Sequence, residues 1–90
     1  MATAPRELTR SYFLGKLARE LEQRGFDVTL RLAPPSLKVS DPEAALLNET
    51  VDCVSLQGGW FYRWSWGEVV ESADDPDAAA ALIAKVLGAR

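Results

Sequence analysis

The sequence contains no histidine. That absence removes imidazole as a metal ligand, as the base beside a serine or cysteine nucleophile, and as a switch near neutral pH. A single cysteine, Cys53, excludes an internal disulfide and a multi-cysteine zinc site. Its mid-strand setting points to a buried thiol, and no histidine exists to activate it. No glycine-rich phosphate loop is present: Gly58-Gly59 lacks the spacing, and neither G-x-G-x-x-G nor G-K-[ST] occurs. No run approaches the roughly 20 apolar residues that cross a bilayer. Residues Met1 to Glu7 carry no apolar stretch of signal-peptide type. The expectation is a cytoplasmic protein with no membrane association, in which the Asn48-Glu49-Thr50 sequon has no meaning.

Excess positive charge is also missing. The formal net charge is −3, whereas nucleic-acid binding needs a basic face to displace counterions from phosphates. The basic groups lean to the N-terminal half (Arg6, Arg10, Lys16, Arg19, Arg24, Arg31), with Glu7, Glu20 and Glu22 interrupting them. Arg6 and Arg10 read as a solvated helix face, and nucleic acid is not an expected partner. The C-terminal half is acidic, but Asp74, Asp75 and Asp77 do not follow a calcium-loop pattern. Helix capping accounts for them, so neither a metal nor a cofactor is expected. Nothing in the chain suggests an enzyme.

What is present suffices for one folded domain. The chain has 90 residues, of which 48% are hydrophobic and 26% charged; that leaves enough apolar surface to offset chain entropy in a single core. Leu14, Leu17, Ala18 and Leu21 recur at helical spacing, extended by Leu8 and by Tyr12 or Phe13, and predict a helix from Pro5 to Arg24. Proline suits the first turn, and Gly25 can take the left-handed conformation past the last. Close packing on a strand would explain Gly15. Residues 26–32 then alternate, with Phe26, Val28, Leu30 and Leu32 on one face of a half-buried strand. Pro34-Pro35 breaks it, and residues 36–40 form a second strand with Leu37 and Val39 inward. Asp41-Pro42-Glu43 has the form of a helix start, predicting a short helical turn through Leu47. A third strand over residues 50–56 leaves two inward sets open, Val51 with Cys53 or Val54 with Leu56. After the Gly58-Gly59 turn comes a fourth strand over residues 60–66, ended by Gly67; Val69-Val70 continue that edge past a bulge. The closing helix has Asp75 as cap, Pro76 in first position, a stripe of Ala79, Leu82, Ile83, Val86 and Leu87, and Lys85 and Arg90 toward its negative end.

These elements predict an α+β fold: an N-terminal helix, a four-stranded antiparallel sheet and a C-terminal helix. They form a two-layer sandwich with both helices on one sheet face. The other face is polar and wet, with Asp27, Thr29, Arg31, Lys38, Ser40, Arg63 and Ser65.

The segment Trp60-Phe61-Tyr62-Arg63-Trp64-Ser65-Trp66 holds five of the eight aromatic residues. Trp60, Tyr62, Trp64 and Trp66 share parity. Four such side chains bury about 600–1,000 Å², more than a monomer usually leaves exposed in one patch. Tyr62 and Trp64 are therefore expected in the core. Trp60 and Trp66, at the strand ends, are expected to be partly exposed, since each indole N–H needs a partner or water. Phe61 falls on the polar face beside Arg63.

Asp41-Pro42, Val51-Asp52-Cys53, Trp60 to Gly67 and Ala78 to Leu87 together resemble a group of small actinobacterial proteins. The matching motifs are structural, and the resemblance implies no activity. The helix–strands–helix order is similar to that of small bacterial secretion-chaperone-like domains, which implies peptide binding or dimerisation at the level of fold only. The functional expectation is a non-enzymatic protein-binding module, an adaptor, chaperone-like subunit or regulator. Trp60, Phe61, Arg63 and Trp66 would contact a protein or peptide partner or a second copy of the chain. The alternative is a small-molecule-binding accessory domain that stacks a planar ligand on the aromatic row between helix and sheet.

Overall fold

A computed structural model describes the backbone of residues 5–32 and 34–88 and the side chains of residues 8–32, 34–44 and 48–88. Helix α1 covers Pro5–Gln23. Leu14, Leu17, Ala18 and Leu21 are buried, and Phe13 packs against the core they form. Leu8 and Tyr12 fall on the outer side instead, 59% and 61% exposed. The helix ends in a Schellman motif. Gly25 takes φ 90°, its N–H donates to the Glu22 carbonyl, and the Phe26 N–H donates to the Leu21 carbonyl. Gly15 has open space where a side chain would sit, so no close strand approach explains it.

The sheet has five strands, not the four expected: β1 (Asp27–Leu32), β2 (Pro35–Asp41), β3 (Ala44–Leu56), β4 (Gly59–Trp64) and β5 (Val69–Ser72). They form an antiparallel meander in chain order. The fifth strand arises because the fourth ends at Trp64 rather than Trp66. The Gly67 N–H donates to the Trp64 carbonyl and the Trp64 N–H to the Glu68 carbonyl, closing a three-residue loop with Gly67 at φ 102°. Val69 and Val70 therefore do not continue β4 past a bulge but open the separate strand β5, and the β4–β5 register shifts between Tyr62 and Arg63 instead.

The helical turn expected after Asp41 is absent, and β3 begins at Ala44. Asp41 accepts the Glu43 N–H at 2.9 Å, closing a tight turn around Pro42-Glu43 between β2 and β3. The carboxylate that caps a helix also closes an Asx turn, so the local signature fits both structures. Pairing with β2 decides the outcome. The β3–β4 hairpin turns through Gln57-Gly58, both at positive φ (49° and 82°), with Gly59 already in β4.

Both helices lie on one face of the sheet. Helix α2 (Pro76–Gly88) packs against α1, β5 and β3, while α1 also packs over β1, β2 and β3. The α2 cap forms as expected: the Ala78 N–H donates to Asp75 Oδ1 at 3.1 Å, with Pro76 in the first turn. Leu82 departs from the predicted stripe and is 39% exposed, and Ala80 is buried instead. Arg90 and the side chains of Arg6 and Glu7 lie outside the described residues.

The core joins Leu14, Leu17 and Leu21 of α1 to Leu37, Val39, Val51, Cys53, Tyr62, Trp64 and Val70 of the sheet and to Ile83 and Leu87 of α2. In β3 the inward pair is Val51 and Cys53. Val54 points to the opposite face but is also buried, at 8% exposure. The expected inward face of β1 is not closed along its length: Leu30 is 38% and Leu32 62% exposed, because β1 is the edge strand of the sheet. Among the described residues, no helix is long and apolar enough to cross a membrane.

Candidate functional site

Strand β4 divides its side chains between two environments. Tyr62 and Trp64 point under the helices and are buried, at 0% and 5% exposure. The Tyr62 hydroxyl donates to the Phe13 carbonyl at 2.7 Å, tying β4 to α1. Burial raises the Tyr62 pKa, and the neighbouring Cys53 and Asp74 push it the same way. Trp60 is half-buried on this side, its ring 6.2 Å from that of Phe13. Trp66 lies outside the strand, in the β4–β5 loop. Its ring stacks on Trp64 at 4.8 Å and 7°, and its indole N–H donates to Glu68 Oε2 at 3.2 Å; 52% of the residue stays exposed. Of the four expected contact residues, Phe61 and Arg63 share one surface. Trp60 and Trp66 are held elsewhere.

The surface that Phe61 and Arg63 share is the sheet face that neither helix covers. Arg63 lies directly across from Asp52 on β3. Its Nε and Nη2 donate to the two Asp52 carboxylate oxygens at 3.1 and 2.8 Å. This fork-to-fork hydrogen bonding, rather than the charge alone, raises the Arg63 pKa further. Two residues along, Phe61 faces Val54 and leans over Gly59, where an added Cβ would sit 3.2 Å from the Phe61 ring. Glycine at 59 therefore gives the ring its place. Leu56, Gly59, Phe61 and Val69, with Gln57 and Gly58 of the turn, line an open depression of about 570 Å³. Leu56 and Val69 are 43% and 48% exposed. This end of the wet face is apolar, unlike the end around Thr29 and Lys38.

A second feature adjoins it. The ladder between β2 and β3 starts at Leu37↔Val51, and β3 then continues to Leu56 paired only with β4 among the described residues. Pro34 and Pro35 stand where β2 begins, and neither has an N–H with which to extend the ladder. The result is a notch of about 270 Å³, lined by Arg10, Pro34, Pro35, Ser36, Thr50, Asp52, Cys53, Val54, Arg63 and Ser65. Arg10 reaches it from α1, where it lies on the same helical stripe as Leu14, Leu17 and Leu21. Its Nε is buried and has no hydrogen-bond partner.

Cys53 also lines the notch. Burial pushes its thiol up to about 11, with the Arg10 charge pulling it down and Asp52 pushing it up. A protonated, buried thiol is a weak nucleophile. Among the described residues, no group of three or more acidic or cysteine side chains is placed to hold a metal.

The i,i+4 spacing of Arg6 and Arg10 predicts a solvated basic face, and Arg10 instead reaches the notch with its Nε buried. A usable signal was present. A charged residue four positions before Leu14 on the apolar stripe points at the core rather than at water. The notch itself was not legible, because it depends on where β2 begins relative to β3. In comparisons with known proteins, no protein family, curated protein or solved structure matches the chain.

Proposed function

We propose that this protein is a non-enzymatic, cytoplasmic protein-binding module that takes an extended peptide segment on the open sheet face at the β3–β4 hairpin. The observation that carries this reading is the apolar depression of Leu56, Gly59, Phe61 and Val69 beside the Asp52–Arg63 pair, on a face no helix covers. The end of β3, Val54 to Leu56, adjoins it, has no ladder partner on the β2 side among the described residues, and offers main-chain hydrogen bonds to an added strand. Phe61 and Arg63 make the contacts. Trp66, stacked on Trp64 at the other end of β4, lies outside this surface, and Trp60 supports the strand from the helix side. The adaptor, chaperone-like and regulator roles all draw on this property. The alternative, a planar ligand stacked on the aromatic row between helix and sheet, gains nothing from the geometry: Tyr62 and Trp64 there are closed off by packing.

The test is selection from a display library of unstructured peptides, followed by titration of the enriched sequences. The expected result is binding that weakens by about tenfold or more in Phe61→Ala, as truncation of an aromatic anchor does, with the melting temperature little changed. Equal binding by wild type, Phe61→Ala and Arg63→Met would reject this face. Selection of no peptide, with a dimeric mass in light scattering that Phe61→Ala abolishes, would replace the peptide by a second copy of the chain.

A further inference from the structure

The buried Nε of Arg10 has no partner, although Arg10 stands on the core-facing stripe of α1. An unsatisfied buried donor is rare and unfavourable, and it becomes favourable once an acceptor arrives. From these observations and the shape of the notch we infer that Arg10 receives a carboxylate, the C-terminal carboxylate of an extended peptide lying along the free edge of β3. The inference rests on the peptide-binding reading above and names the end of the peptide that this site recognises.

Charge selects the group. The notch is lined by two cations, Arg10 and Arg63, and one carboxylate, Asp52, which leaves one positive charge. Asp52 already occupies both donors that Arg63 directs at it, so the buried donor left without a partner is Nε of Arg10. A single planar monoanion matches one free guanidinium, which can donate to both oxygens of a carboxylate. A phosphate dianion would carry a second negative charge up to Asp52. Ser36, Thr50 and Ser65 line the same space with hydroxyls that can donate to the remaining lone pairs. The volume, about 270 Å³, lies below the roughly 300–1,000 Å³ of sites that enclose a drug-sized ligand, so it suits a terminal group rather than a whole molecule.

Topology selects the direction. Strand β2 runs antiparallel to β3 and begins at Pro35; its register sets Ser36 and Pro35 across from Asp52 and Cys53, and among the described residues β3 from Val54 to Leu56 extends past the end of β2 with no ladder partner on that side. A peptide that continues the row of β2 there, antiparallel to β3, enters from the hairpin tip at Leu56 and ends at Pro34-Pro35. Its last residue then lies beside Val54, where Pro34 bounds the notch, with the carboxylate directed at Arg10. A peptide running parallel to β3 would instead bring its amino terminus to the guanidinium, and like charges would repel. Side chains of the added strand that point to the open face meet Val54 and Leu56, beside Phe61.

The test uses acetylated Lys-Thr-Val-Ser-Leu as the free acid and as the C-terminal amide, with N-acetylleucine as a small acid. Binding is followed on the Nε–H signal of Arg10 in proton–nitrogen NMR spectra of the full chain. The expected result is that the acid shifts this signal and binds about tenfold or more tightly than the amide, the difference expected of a charge-assisted pair. Arg10→Gln abolishes the difference between acid and amide, while Phe61→Ala weakens both alike. N-Acetylleucine moves the same signal only at much higher concentration. Equal binding of acid and amide, or an Arg10 signal that neither acid moves, would overturn the inference. If N-acetylleucine bound as well as the peptide acid, the carboxylate site would stand while the chain-terminus assignment and the peptide reading both fell.

Discussion

The two faces of one sheet differ in how complete they are. Beneath the helices, Leu37, Val39, Val51, Cys53, Tyr62 and Trp64 are closed off from water, and the polar atom among them with a strong need, the Tyr62 hydroxyl, has its acceptor. On the open face the same strands carry an apolar depression with no cover, an ion pair left partly in water, and a neighbouring buried guanidinium nitrogen with no acceptor. A face that satisfies itself contributes stability. A face that leaves apolar area and donors unsatisfied keeps interaction energy available for something else.

That contrast can be broken most severely from the covered side. Tyr62→Ala removes a fully buried ring and a 2.7 Å hydrogen bond, and is expected to cost about 3–5 kcal/mol in urea unfolding. Phe61→Ala, one residue away, is expected to cost about 1 kcal/mol or less, because its ring is only half-buried. Equal losses would mean that the open face is structural after all.

The second effect is alkaline. Folding raises the Cys53 pKa from 9.0 to about 11 and raises that of Tyr62 in the same direction, each chiefly by burial. The folded state then holds protons that the unfolded state has released. Stability from these groups is complete below pH 9 and falls as pH rises from there through about 11. The Cys53 share is on the order of 2–3 kcal/mol at full titration. Urea midpoints measured across that range should fall, and Cys53→Val should flatten part of the slope.

On the open side the sign reverses. Arg10→Met removes the unpartnered guanidinium and keeps an aliphatic stem, so the melting temperature should rise by about 4–8 °C, equivalent to about 1 kcal/mol. A lower melting temperature would show that the guanidinium finds an acceptor within the free protein. The smallest effect belongs to Asp52→Asn, since both partners of the Asp52–Arg63 pair keep about a third of their side-chain surface in water. A change of about 0.5 kcal/mol or less, shrinking with added salt, is expected in the same melts.

The parts legible in the sequence share a local cause. The α1 stop at Gly25, the α2 start at Asp75-Pro76 and the alternation of β4 depend on residues within one or two turns of each other. Where the same local signature suits two structures, reading fails. Asp41-Pro42-Glu43 closes a hairpin rather than starting a helix because β2 stands ready to pair with β3. Likewise the row from Trp60 to Trp66 reads as one strand, but Gly67 turns the chain early and Trp66 becomes a cap over Trp64. Phe61 and Arg63 could be assigned to the polar face from parity alone. Their apolar neighbours Leu56 and Val69 come from other strands, and only the register brings them near.

By itself the sequence determined a two-helix, antiparallel α+β fold, the burial of Tyr62 and Trp64, and the lack of histidine-based chemistry, because side-chain period, capping residues and composition are local or additive quantities. Only the tertiary structure decided that β3 outruns β2 at Pro34-Pro35, that Arg10 enters the resulting notch, and that an uncovered apolar depression lies beside it. Those features follow from the relative lengths and registers of strands distant in the chain, which no local pattern encodes.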